Sequence, residues 1–200
     1  MKDFILSLNK EIIYSRVLCR IILVSSAVIL ITLGAFVRIP LPFTPVPITL
    51  QTFFVLLFAA LLKPPFSFLS ILIYLGLGLM GMPVFSLPYG GLKYFLGPTA
   101  GYLWGFLFST VFVSKSMVSL KHNHNDFISI FLIIFFGELI ILMCGSLWLR
   151  FFLNTTFKKA ILLGFFPFLP FDLIKIWITT RLSLKLAPRI KRSSKNIYYL

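Results

Sequence analysis

Near the C-terminal end of the chain, "PFLPFDLIKIW" sets Asp172 and Lys175 three positions apart inside an otherwise apolar run. On a helix that spacing puts both side chains on one face. In a bilayer each charge costs roughly 2.5–3.5 kcal/mol at the centre of a spanning helix, so such residues face a cavity or one another. Two readings are open. The pair is an internal salt bridge that locks a bundle, or it is a ligand site in which Lys175 meets an anion such as a carboxylate and Asp172 accepts from N–H donors. Glu138, in "FFGELIIL", is a third acid in apolar surroundings. It either pairs with Lys175 or Arg150, or lines a pocket.

The elements that must position these groups are membrane helices. The chain has 200 residues, of which 59% are hydrophobic and only 12% charged, and its mean hydropathy is +1.01. That composition defines a polytopic membrane protein. A net charge of +14 would suggest nucleic acid for a soluble chain. Here Lys and Arg sit in loops and tails, which makes lipid, and not nucleic acid, the partner.

Six apolar segments follow one another, at about 17–37, 48–62, 65–82, 98–117, 127–153 and 158–187. An amphipathic cytoplasmic segment, residues 1–16, precedes them, and a basic cytoplasmic tail, residues 188–200, follows the membrane domain of residues 17–187. The expected fold is an all-α integral membrane bundle of six transmembrane helices. With the N-terminus inside, 13 Lys and Arg fall on the inner side and five on the outer. That bias places both termini in the cytoplasm of a multi-pass plasma-membrane protein.

The second segment is short: about fifteen residues rise only about 22 Å, against a hydrocarbon core of about 30 Å. Just before it, "RIPLPFTPVPITLQT" carries Pro40, Pro42, Pro45 and Pro47. This stretch must therefore lie at membrane depth or cap the helix. Non-helical backbone is tolerated there only where it lines a cavity, and proline reduces the number of N–H groups to satisfy. Pro167 and Pro170 predict a kink or break in the sixth segment. Gly97, Gly101 and Gly105 make a flat face at four-residue spacing, suited to close helix packing.

Other patterns carry little. "GLGLMG" matches G-x-G-x-x-G but ends an apolar span with no βαβ context. "KHNHND", with His122 and His124, is one short polar loop without a further ligand set, so no metal is expected. Cys19 and Cys144 lack C-x-x-C spacing and read as small core residues. Neither an ATPase P-loop nor a hydrolase motif is found, and no cofactor is expected. A small membrane enzyme would have to use Glu138, Asp172 and Lys175 for proton transfer, with no histidine or serine nucleophile beside them.

Four blocks in order, "IPLPFTPVPITLQT", "GMPVF", "GG" followed by "LGPTAGY", and "PFLPFDLIK", resemble the BioY family of biotin-binding S components of energy-coupling-factor (ECF) vitamin transporters. The resemblance runs from about residue 25 to about 187. It implies the six-helix S-component fold and a non-enzymatic role: a biotin pocket opening outward, with delivery driven by a separate transmembrane coupling subunit and ATPase subunits. A related vitamin or biotin precursor is the alternative ligand.

Residue by residue, the resemblance implies that Asp172 accepts from the ureido group and that Lys175 meets the valerate carboxylate. Tyr89, Gly90, Gly91, Thr99 and Tyr102 fall at loop and helix-start positions used around the ligand. Phe43 and Val46 are expected to close over the apolar ring, and Gln51 and Thr52 to hydrogen-bond ligand or backbone. Glu138 is kept as a pocket candidate. The chain departs from the family pattern at Phe171 and Ala100, where glycine is common, and at Tyr102 and Pro88, where some members carry arginine and asparagine. These departures leave Lys175 as the expected carboxylate partner. Small residues of the first span, Ser25, Ser26, Ala27, Gly34 and Ala35, are the expected contact with the coupling subunit.

Overall fold

A computed structural model describes residues 2–86, 91–120 and 126–193, with side chains described from residue 17 to residue 187 within those ranges. Helix α1, Lys2–Phe36, runs unbroken through the boundary between lead-in and first span. The proline-rich stretch then folds into a small antiparallel ribbon, β1 (Arg38–Ile39) with β2 (Ile48–Thr49). Arg38 lies opposite Thr49 and Ile39 opposite Ile48. All four prolines lie between these strands and bring no N–H donor, so fewer backbone groups there need a partner.

Helices α2 (Gln51–Leu61) and α3 (Pro64–Leu79) follow, separated by Leu62 and Lys63. Pro64 dictates that junction: it drives Lys63 to φ −64, ψ 153 and then starts α3, where its missing N–H is no loss. After a short α4 (Leu92–Phe95) come α5 (Ala100–Ser119) and α6 (Phe127–Phe152). Asp126 caps α6, accepting from Ile128 N at 3.1 Å and from Ser129 Oγ at 2.5 Å. The serine hydrogen bond is the main reason its carboxyl titrates below the usual range.

The sixth apolar segment is two helices, α7 (Phe157–Gly164) and α8 (Leu169–Ser193), bent by 52° at their junction. The expected break is therefore present, and Pro167 and Pro170 sit at it. Among the described residues, two helices are long and apolar enough to cross a bilayer, or three when α7 and α8 count as one bent span. Helices α2 and α3 are apolar but shorter.

The tightest helix pair is α5 with α6, and two glycines permit it. A Cβ on Gly101 would lie 2.2 Å from Trp148 Cβ, and one on Gly105 would lie 2.8 Å from Ile141 Cα. The packing role expected of this face is what these two positions serve. Gly97 instead offers its carbonyl to Trp148 Nε1 at 2.8 Å. Helix α2 is the hub, touching α1, α3, α5, α6 and α8. Leu56, Ile71, Tyr74, Ile134, Ile141 and Ile176 are fully buried around it, whereas Ile21, Ile29, Phe108, Phe136, Ile174 and Trp177 point outward. An apolar exterior of this extent needs a hydrocarbon solvent.

Candidate ligand-binding site

Asp172 and Lys175, one turn apart at the start of α8, do share a face: their side chains form a 2.5 Å ion pair. Asp172 is 2% exposed, so its charge needs a partner on the spot. Lys175 reaches further. Its Nζ also donates to Thr49 O and to Thr52 Oγ1, both at 2.9 Å. An ammonium group has three N–H donors. All three are engaged within the protein, so Lys175 ties α8 to the end of the ribbon and the start of α2.

These four residues close one side of a narrow cleft with about 480 Å³ of free space, a figure that includes the open solvent at its mouth. The ribbon supplies Val46, Pro47 and Thr49; α2 supplies Gln51 and Thr52. The far walls come from Thr99, Tyr102, Leu103 and Phe106 on or beside α5, Glu138 and Leu142 on α6, and Phe168 in the α7–α8 break. Ser86 and Tyr94, joined by a 2.7 Å hydrogen bond, complete the rim. Apolar walls with a few convergent polar groups are the usual makeup of a small-molecule site.

Glu138 is the odd member. It is 1% exposed, and no donor from the described protein groups reaches either carboxyl oxygen. Its charged neighbours are Asp172 and Lys175. Of the two partners open to it from sequence, Lys175 is the nearby one, but the ammonium bonds Asp172 instead. The cleft thus holds two buried carboxyl groups and one ammonium, a surplus of acceptors matched to a ligand that brings N–H donors.

Other predicted residues contribute shape. Gln51 is held by Tyr74, whose hydroxyl accepts from Gln51 Nε2 at 2.5 Å and donates to Val84 O at 3.1 Å. Tyr102 presents its ring, 6.2 Å from that of Phe168, while its hydroxyl donates to Gly164 O at 2.6 Å. That ring fits because Gly145 has no side chain: a Cβ there would lie 2.2 Å from it.

Eight expected residues therefore meet at one cleft: Val46, Gln51, Thr52, Thr99, Tyr102, Glu138, Asp172 and Lys175. Phe43 does not join them: it is 55% exposed, whereas Val46 is 5% exposed and lines the cleft. Gly91 is also absent from the lining. At φ +84 it turns the chain into α4, and its N–H bonds Gly78 O at 2.6 Å. Tyr89 and Gly90 lie outside the described residues, as does the His122/His124 loop. Sequence reasoning missed Ser86, Tyr94 and Phe168. A Ser86–Tyr94 bond across eight positions leaves no periodic signal, while Phe168 is betrayed only by its place between two prolines.

The fold and the cleft define a class: an α-helical protein with an apolar exterior and, among the described residues, a cleft whose apolar walls carry a few convergent polar groups. The sequence pattern of the BioY family matches residues 9–192, and the chain belongs to that family. Among characterised relatives it is 36% identical over 171 residues to the biotin transporter BioY2 of Lactococcus lactis, covering 83% of this chain and 92% of that one. It is 39% identical over 157 residues to the biotin transporter BioY of Thermotoga maritima, covering 78% and 89%. Its backbone is similar to the crystal structure of the S-component for biotin from an ECF-type ABC transporter, with a TM-score of 0.81 and 27% identity over 86% of this chain and 92% of that chain.

Proposed function

We propose that this chain takes up biotin, as the substrate-binding membrane subunit that hands the vitamin to an ATP-driven ECF coupling module. The observation that carries this reading is the meeting of Asp172, Glu138 and Lys175 with apolar walls in a single cleft. Biotin brings a ureido ring with two N–H donors, an apolar thioether ring and an aliphatic tail ending in a carboxylate. Asp172 and Glu138 supply acceptors for the ureido donors. Leu103, Phe106, Leu142 and Phe168 receive the apolar ring. Lys175 acts by holding Asp172 charged and by keeping the ribbon seated over the ligand.

The same reading has the chain cross the membrane six times with both termini inside, supported by the 13-to-five distribution of Lys and Arg. Labelling of cysteines introduced one at a time at Leu41 and Lys185 checks it. An outside reagent should reach position 41 only, and labelling of position 185 from outside would reverse the orientation. No P-loop is present in the sequence, so energy must come from partner ATPases. The binding role is tested by equilibrium binding of labelled biotin to the purified full chain in detergent without ATP. Saturable binding that is lost in Asp172→Asn is expected. Absence of binding by the folded wild-type chain would end the reading.

A further inference from the structure

Resting on that reading, we propose that Arg38, on the proline-rich ribbon, is the residue that receives the ligand's carboxylate. The inner end of the cleft is unsuited to it. Glu138 and Asp172 lie there, and a third carboxylate brought beside them is repelled. The one cation lining that end among the described residues, Lys175, has spent its three donors on Asp172, Thr49 and Thr52. A ligand whose N–H groups engage the acids must therefore point its tail toward the rim.

Arg38 waits at that rim. It stands directly opposite Thr49 in the ribbon, and opposed residues carry their side chains on the same face. Thr49 lines the cleft. The Arg38 guanidinium is oriented by a single described hydrogen bond, from Nη1 to Ser86 O at 2.5 Å, and Ser86 also lines the cleft. A guanidinium has five N–H donors in a planar fork that matches a carboxylate. Arg38 further lines a second groove beneath the proline turn with Pro40, Leu41, Thr44 and Pro45, and Pro47 belongs to both hollows. The two hollows thus adjoin at Pro47, with acceptors in the inner one and a cation on the outer one. Position 38 thus selects for an acidic tail of fixed reach, while the inner acids select the ring.

The test compares biotin with its neutral amide, biotinamide, on the purified full chain, for wild type, Arg38→Gln and Arg38→Lys. Wild type should prefer biotin. Arg38→Gln should weaken biotin at least about tenfold, as expected for loss of a charge-assisted contact, and leave biotinamide unchanged. Arg38→Lys, which keeps the charge but not the fork, should fall between and serves if the glutamine variant does not fold. Three results overturn the proposal: a wild type that binds both ligands equally, an Arg38→Gln protein that keeps its preference for the acid, or equal loss of both ligands, which marks a structural role through Ser86. A wild type that binds neither ligand instead sinks the biotin reading.

Discussion

Lys175 and Thr49, 126 positions apart, are joined by a 2.9 Å hydrogen bond from the side-chain ammonium to the backbone carbonyl. With the bond to Thr52 Oγ1 and the ion pair to Asp172, it makes one cation the meeting point of α8, the ribbon and α2. Of the two readings open from sequence, the structural lock is the one these contacts display, and it does not exclude the other. The pair is a lock, and the lock forms a wall of the cleft.

Removing the cation alone should be more damaging than removing both charges. Lys175→Met strands Asp172 as a buried, unpaired charge, and breaking such a pair costs about 3–5 kcal/mol. The double variant Asp172→Asn, Lys175→Met should regain most of that loss, since a buried pair replaced by neutral groups is often close to neutral in stability. Thermal denaturation in detergent reads both. A double variant no more stable than Lys175→Met would show that the bonds to Thr49 and Thr52, and not the ion pair, hold α8 in place.

Glu138→Gln separates a ligand acceptor from a structural acid. The substitution keeps the shape and replaces a buried carboxyl group that no described protein donor satisfies, so the melting temperature should stay level or rise. Biotin affinity should fall by about 1–3 kcal/mol, because an amide nitrogen replaces one acceptor oxygen facing the ureido donors. Unchanged affinity would remove Glu138 from ligand contact.

Two glycines should answer alanine differently. Gly101→Ala sets a methyl 2.2 Å from Trp148 Cβ and 2.5 Å from Cys144 O, so α5 must move off α6. Overpacking of this kind costs typically 1–3 kcal/mol. Gly76→Ala meets nothing within 4 Å and should be neutral or slightly stabilising. Equal melting temperatures for the two would show that α5 and α6 do not pack this closely.

What the sequence made legible follows from how local each signal is. The Asp172–Lys175 face needs only helical spacing, the break in the last segment only Pro167 and Pro170, and the α5–α6 seam only the repeat of small residues. The ribbon was harder. Four prolines announce a rigid non-helical stretch, but nothing in them says that Val46 turns inward while Phe43 turns out, because a turn-rich segment has no fixed period. Glu138 gave a residue without a partner, and only the packing of α6 beside α8 reveals which neighbours it has. The further partners of Lys175 were not legible, because Thr49 and Thr52 lie more than a hundred positions away in the chain.

Helix α2 has only 11 residues, a rise of about 16 Å, roughly half the oily interior of a bilayer. Because α2 is packed on all sides by other helices, protein and not lipid fills the length it leaves, and the ribbon occupies that place. The cleft thus owes its room to a helix that stops early, and lengthening α2 by even one turn would fill the space that Val46, Gln51 and Thr52 now border.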